Sequence, residues 1–398
     1  MNLVYFLSYF PKLSESFILS EIYELERNGH NVAVCALNNP ENRIVHREVG
    51  ELDVPKYYIE RPTYSDITEL LSTKAIHPRV LGDIRHYPTV KQHAANLVRA
   101  KKCIEFIDSI EWNPDQFHSH FAYASKFAAR YAADYYDVPF TITTHAGDLY
   151  EEPVGTYTKR LLGDADRIIT ISEYNKKHIR NRFTTETPID VVRAGIRPEK
   201  FSPTDTTVEN RVVTTARLVE IKGFPDALEA MKIVADRIPD VEYHIVGSGE
   251  LKPDLVRTVD RSGIGDNVTF LDAVSDRRLV TELDEARCFL LPCVIGNSGN
   301  RDGIPVALME AMAMKTPPVS TAVSGIPELI DHRRNGLLTQ PRTPEATAEA
   351  VLELLQNDGV HSAYAERARK KVSTEFNIET EADKLESAFR KVQDTKIR

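Results

Sequence analysis

Cysteine is scarce in this chain. Four thiols in 398 residues, Cys35, Cys103, Cys288 and Cys293, include no C-x-x-C pair. No histidine stands beside them at zinc-ligand spacing, so neither a disulfide framework nor a structural zinc site organises the fold. They read as small buried residues of a reducing compartment. Long apolar runs are missing too. No stretch without Asp, Glu, Lys or Arg exceeds 13 residues, whereas a spanning helix takes roughly 20 apolar ones. Met1 to Pro11 is apolar but has no basic flank and no small-residue cleavage site, so it reads as a strand and a cytoplasmic location is expected. Positive charge is in deficit: 50 Lys and Arg against 59 Asp and Glu give −9. That excludes a sequence-independent nucleic-acid binder, which needs clustered cations. Gly and Pro, 18 and 22 residues, are too few for a low-complexity chain.

What is present is a soluble globular mix, 42% hydrophobic and 27% charged, long enough for two domains. Short β-rich runs alternate with helix-period segments. Leu3 to Ser8 predicts a strand. Ser14 to Asn28 predicts a helix capped by Ser14, with Phe17, Ile18, Ile22 and Leu25 inward and Gly29 ending it. Val32 to Leu37 predicts the next strand. This βαβ unit implies a parallel sheet. The alternation continues to Ile189–Val192, pauses at Phe201-Ser202-Pro203-Thr204-Asp205, and restarts at Arg211. Two doubly wound domains with a cleft between them follow, residues 1–204 and 205–378, with the helix 379–398 completing the first. Ligands in such sheets bind at the carboxyl ends of the strands. Residues 40 to 112 are less regular. Within them, His77 to Cys103 carries Arg79, Arg85, Lys91, Arg99, Lys101 and Lys102 against Asp83 alone. It reads either as a solvated helix face or as a contact for an anionic acceptor or peripheral membrane surface.

The chemistry concentrates in the second half. Asn300-Arg301-Asp302-Gly303-Ile304-Pro305 leads from the strand Cys288–Pro292 into a helix from Val306 to Ala313. Gly303 admits a close ligand, Pro305 suits a first helical turn, and the free N–H groups there attract an anion. Asp302 and Glu310 are eight residues apart, about 12 Å along a helix axis. That spacing suits a diphosphate flanked by a sugar and a ribose. A helix cap and a solvated side chain fit the same two residues. Arg217 at the end of a strand and Lys222 before a helix stand where diphosphate-binding cations belong. Gly247-Ser248-Gly249 lacks the third glycine of a dinucleotide loop. Asp164-Ala165-Asp166, the sole Asp-x-Asp, reads as a turn, and no metal is expected. His118 and His120 fit structural hydrogen bonding as well as ligand contact. His145, ending an apolar strand beside Gly147, points to function.

Taken together, Arg217-Leu218-Val219-Glu220-x-Lys222-Gly223, Val246-Gly247-Ser248-Gly249, Asp302-Gly303-Ile304-Pro305 with Glu310, and Gly325-Ile326-Pro327-Glu328 resemble the donor half of retaining glycosyltransferases of family 4. Pro11 to Ile18, His118-Ser119-His120-Phe121-Ala122, Thr144-His145-Ala146-Gly147-Asp148 and Ile171-Ser172-Glu173 resemble the exopolysaccharide and colanic-acid branch. The resemblance implies an α/β GT-B fold, two Rossmann-like domains facing across a cleft. It implies a metal-independent, retaining hexosyl transfer from a UDP- or GDP-sugar to a glycan or lipid-linked acceptor. By the same resemblance Arg217 and Lys222 hold the diphosphate. Glu310 holds the ribose, and Asp302 and His145 reach the sugar. Backbone at Gly247 and at Gly303, Ile304, Pro305 and Val306 supports the donor, and Ser14 and Glu15 lie near the acceptor. The chain departs from the family in Asp302, where Glu is usual, in Lys315 and Pro318, and in Tyr9-Phe10-Pro11 at the first Rossmann turn. A GT-B epimerase and a catalytically degenerate nucleotide-binding scaffold are the competing readings.

Overall fold

The computed structural model describes residues 1–40, 46–67, 89–151, 156–204 and 206–397. Two compact units emerge, residues 1–193 with 381–398, and residues 194–380.

The first unit is built on a parallel sheet. Its strands are β1 (Asn2–Leu7), β2 (Asn31–Ala36), β3 (Lys56–Tyr58), β4 (Gln116–His120), β5 (Phe140–Thr144), β6 (Arg167–Thr170) and β7 (Ile189–Val191). Their order is β3-β2-β1-β4-β5-β6-β7. Side chains alternate across the sheet as the pleat requires. Val4 and Phe6 join one core with the helices Val90–Ser109 and Phe127–Tyr136. Leu3, Tyr5 and Leu7 join another with Ile18, Leu19, Ile22 and Leu25 of the helix Ser16–Arg27, and with Leu385 and Phe389 of the C-terminal helix Ile378–Ile397. Both faces are therefore covered, as an all-parallel sheet demands.

The second unit repeats the plan with β8 (Val208–Thr215), β9 (Glu242–Val246), β10 (Val268–Leu271), β11 (Ala286–Leu291), β12 (Pro318–Thr321) and β13 (Leu337–Thr339). Their order is β10-β9-β8-β11-β12-β13. In each sheet the winding reverses between the first strand of the unit and the fourth. The carboxyl ends of those two strands are the usual ligand position in such sheets.

Several local expectations need correction. Ser14 does not cap the first helix. Leu13–Glu15 is a 3₁₀ turn and the helix starts at Ser16, with no side-chain cap bond. Residues 194–204 pack with the second unit, not the first. Ile196 exchanges backbone hydrogen bonds with Phe376 and Ile378, and Arg369 Nη1 donates to the Phe201 carbonyl at 2.7 Å. Of the basic segment, His77, Arg79, Asp83 and Arg85 lie outside the described residues. The rest sits on Val90–Ser109, where Lys102 pairs with Asp66 at 3.3 Å and Arg99 donates to Asn96 at 2.8 Å. No described helix is long and apolar enough to cross a membrane.

Candidate active site

In the second unit, the connections leaving β8 and β11 meet at the winding reversal. The chain after β8 makes a 3₁₀ turn, Glu220–Lys222, and enters the helix Phe224–Arg237 through Gly223. Gly223 has φ +69°, and a Cβ there would lie 1.9 Å from the Pro292 carbonyl oxygen. The absent side chain is what lets the two connections touch. They are then tied three times. Val294 N–H donates to the Ile221 carbonyl at 3.0 Å. Asn297 N–H donates to the Glu220 carboxylate at 3.1 Å. Lys222 Nζ contacts both carboxylate oxygens of Asp302 at 2.9 Å.

Asp302 also accepts from the buried Cys293 thiol at 3.4 Å, and burial pushes that thiol pKa up, with the Asp302 charge adding to it. Asp302 lies in the loop, because the helix begins only at Val306. It caps nothing, and the 12 Å axial spacing from Glu310 does not apply. Pro305 is the residue before the helix rather than within it, and Gly303, Ile304 and Pro305 are buried. Glu310 is half-buried on the first turns of that helix. Arg217 is exposed, and its side chain makes no ion pair among the described residues. Behind it, Gly247 has φ +138°, and a Cβ would meet the Ala216 carbonyl oxygen at 2.0 Å. Leu218 N–H donates to the Ser248 carbonyl at 2.9 Å. The glycine loop thus backs the Arg217 turn.

In the first unit, His118 and His120 come from β4 and His145 from the turn after β5. A buried chain of hydrogen bonds joins them to groups that sequence patterns alone left aside. Tyr5 O–H donates to Glu21 Oε1 at 2.6 Å. Glu21 Oε1 lies 3.1 Å from His120 Nε2. His120 Nδ1 lies 3.0 Å from His145 Nε2. Phe17 packs its ring 4.7 Å from His145, and Phe121 packs at 4.3 Å. The His145 main chain is fixed as well. Its N–H donates to Asp148 Oδ1 at 2.9 Å and its carbonyl accepts from Asn175 at 2.8 Å. His118 is held between Thr141 and Thr143.

Burial dominates the electrostatics here. It pushes His118 and His120 down to about 3 and His145 well below its ordinary value. It raises Glu21 and lifts Asp148 to about 6. Lys126, wholly buried beside Ser8 Oγ at 3.0 Å, falls to about 7. The signal for Glu21 was its position. It sits one turn after Phe17 on the helix face that also carries Ile18, Ile22 and Leu25, where a carboxylate needs partners. Ser14 is exposed, and Glu15 accepts from Lys12 at 2.6 Å.

Glu21, His118 and His120 also form a cluster with metal-ligand atom types, their atoms within 4.8 Å of one another. Each of those atoms already has a hydrogen-bonding neighbour in Tyr5, Thr143 or the cluster itself. In Asp164-Ala165-Asp166, Asp164 pairs with Arg160 at 3.0 Å and Asp166 accepts from Phe140 N–H at 2.8 Å.

Comparison with known proteins agrees with this architecture. The family described as Glycosyltransferase Family 4 matches residues 14–200, and that described as Glycosyl transferases group 1 matches residues 209–357. The amylovoran biosynthesis glycosyltransferase AmsK of Erwinia amylovora is 30% identical over 95% of this chain and 96% of its own. The putative colanic acid biosynthesis glycosyltransferase WcaL of Escherichia coli K12 is 28% identical over the same shares. Among solved structures, Anabaena HepE in complex with UDP and glucose superposes with a TM-score of 0.75 at 16% identity, covering 98% of this chain and all of that one. That likeness speaks to the fold alone.

Proposed function

The chain belongs to the family 4 glycosyltransferases of GT-B fold, and from that premise we propose that it moves a hexose, with retention of configuration and without a metal, from a UDP- or GDP-sugar to a glycan or lipid-linked acceptor of surface polysaccharide synthesis. The observation that carries this reading is the cationic end of β8. Lys222 is held in place by Asp302, and Arg217 stands exposed on the same connection without an ion-pair partner among the described residues.

The chemistry asks for such an arrangement. As the glycosidic bond lengthens, negative charge gathers on the departing nucleoside diphosphate. Fixed cations stabilise that charge without having to reorganise. An ammonium has three N–H donors. Asp302 engages Lys222 Nζ through both oxygens, and a third donor remains for a phosphate oxygen. The guanidinium of Arg217 offers a planar fork to the other phosphate. The N–H groups of Gly303, Ile304 and Val306, at the positive end of the helix Val306–Ala313, add to the same field. Glu310 accepts from the ribose hydroxyls. Asp302 and His145 accept from hydroxyls of the transferred sugar. Ser14 and Glu15 belong to the acceptor side. Lys102 and Arg99 of the helix Val90–Ser109 are engaged within the fold. A peripheral contact of its exposed Lys91 with an anionic membrane surface at the inner face belongs to the same proposal. Names of relatives in amylovoran and colanic acid synthesis support the polysaccharide assignment.

The test is a thermal-shift titration with UDP, GDP, ADP, CMP and their common sugar conjugates, each with and without EDTA. A ligand at 100 times its dissociation constant stabilises by ~2.7 kcal/mol. A shift with UDP or GDP that survives EDTA supports the reading. No shift with any nucleotide, or a shift that EDTA removes and manganese restores, overturns it.

A further inference from the structure

The geometry points to Glu21 as a positioning residue that acts through His120 to fix the tautomer of His145, leaving His145 Nδ1 a bare acceptor for a substrate hydroxyl. This rests on the reading of His145 as a sugar contact.

Start at the buried end of the chain. Tyr5 O–H has its partner in Glu21 Oε1 at 2.6 Å. A phenol on the pleated face of β1, fully buried, donates its one proton there, so Oε1 is an acceptor. His120 Nε2, 3.1 Å from the same oxygen, must then carry its hydrogen. A neutral imidazole has one N–H and one lone pair. His120 Nδ1 is therefore bare, and the nitrogen facing it at 3.0 Å, His145 Nε2, must be the donor. The same rule applied once more leaves His145 Nδ1 without a proton. With Glu21 ionised its oxygens only accept, and each later step follows from the one before it.

The outer end differs from the inner one. His118 and His120 are 0% and 1% exposed, while His145 keeps 6%. Among the described residues His145 Nδ1 has no hydrogen-bond partner. The His145 ring is held between Phe17 and Phe121, and its backbone is held by Asp148 and Asn175. It can neither rotate freely nor change tautomer without disturbing Glu21. A bare ring nitrogen in a fixed position selects a hydroxyl and repels an anion. The relay thus assigns His145 to a hydroxyl of the sugar or acceptor and removes it from the diphosphate contacts.

Histidine-selective 15N NMR of the full-length free enzyme tests this, with the His145 resonance assigned by its loss in His145→Gln. The expected result is an Nε2-protonated, Nδ1-bare ring. An Nδ1-protonated ring overturns the inference. So does a stoichiometric metal ion, found by elemental analysis and lost in Glu21→Gln, because a metal would replace the relay. Kinetics supply the second arm, using whichever of UDP-glucose, UDP-galactose and GDP-mannose is turned over. Glu21→Gln keeps an amide oxygen in place of Oε1 and is expected within about threefold of wild-type kcat. Glu21→Leu removes the acceptor and is expected to lose kcat on the order of 10–100-fold, the range of a lost orienting partner, with the thermal shift by the nucleotide unchanged. Equal loss in both variants, or wild-type kcat in Glu21→Leu, overturns the relay. Full activity in His145→Ala would instead sink the sugar-contact reading while the tautomer measurement stands on its own.

Discussion

Lys222 Nζ lies 2.9 Å from each carboxylate oxygen of Asp302, across 80 residues of sequence. The pair joins the connection after β8 to the connection after β11. Both side chains are mostly shielded, at 11% and 16% exposure. The proposed donor contact at Lys222 and the proposed sugar contact at Asp302 therefore depend on one another. Lys222→Ala leaves Asp302 with an unmatched charge, and Asp302→Ala frees Lys222 to swing. Each single variant is expected to lose at least ~100-fold in kcat/KM, the usual range for a preorganised donor. The double variant is expected to lose far less than the product of the two, since coupled neighbours are not additive. Steady-state rates of the four proteins check this, and strict additivity would show that the pair does not act as a unit.

Arg217 differs from Lys222 in having no ion pair to keep it in place. Its replacement is expected to act on binding. Arg217→Ala should raise KM for the sugar nucleotide by about tenfold, roughly 1.4 kcal/mol of lost charge-assisted contact, while the melting temperature without ligand stays unchanged. Arg217→Lys should recover only part of the loss, because an ammonium does not replace a planar fork. Thermal-shift titration with the preferred nucleotide measures both, and an unaltered titration in Arg217→Ala would remove this residue from the diphosphate site.

The buried histidines make stability depend on pH. His118 and His120 are held at about 3 in the folded chain by burial, against about 6.5 in an unfolded one. Between those values the unfolded chain binds more protons, so stability is lost as pH falls from 6.5 toward 3. Asp148, raised to about 6 by burial, has the opposite sign. It contributes stability below its unfolded value that is lost as pH rises toward 6. His145, pushed down by burial, joins the two imidazoles, and Glu21, raised by burial, joins the carboxyl. Three imidazoles outweigh two carboxyls, and the net expectation is destabilisation on acidification. His118→Gln removes one titrating ring while offering hydrogen bonds to Thr141 and Thr143. It should flatten the slope of unfolding free energy against pH by about 1.4 kcal/mol per pH unit between 4 and 6. Urea unfolding at stepped pH tests it, and parallel slopes for both proteins would show that His118 does not stay neutral in the fold.

Much of this architecture was legible in the sequence, and the exceptions have physical causes. The helix Val306–Ala313 has the residue limits its pattern predicts. A run such as Phe140 to Thr144 is β-branched or aromatic throughout and leaves no alternative. β3 and β13 are three residues each, too short for a period to show. The helix Val90–Ser109 begins at Thr89, whose side chain accepts from Gln92 N–H, but its long polar face blurs the apolar stripe. Lys222 and Asp302 could be assigned to one site by motif, yet nothing in their spacing says that they touch. The Tyr5, Glu21, His120 and His145 chain was hidden for the same reason. Four residues from four elements meet only after the sheet order β2-β1-β4-β5 is known.

Gly223 offers the most direct probe of how the two connections are held together. Its backbone is left-handed, at φ +69°, and an added Cβ would fall 1.9 Å from the Pro292 carbonyl oxygen, against backbone that cannot swing aside. Gly223→Ala therefore has to move one connection away from the other. Strain of this kind costs on the order of 1–3 kcal/mol, and the displaced segment begins next to Lys222. The expected variant folds with a lower melting temperature, loses at least ~100-fold in transfer, and shows a reduced thermal shift with UDP or GDP because the Lys222 ammonium no longer meets the diphosphate. Gly263→Ala is the matched control. It also has a positive φ, +74°, but a Cβ there meets nothing within 4 Å. It should lose a comparable part of the stability through backbone strain alone and keep full transfer. Equal transfer rates in the two alanine variants would show that the close approach of Gly223 to Pro292 has no bearing on the donor site.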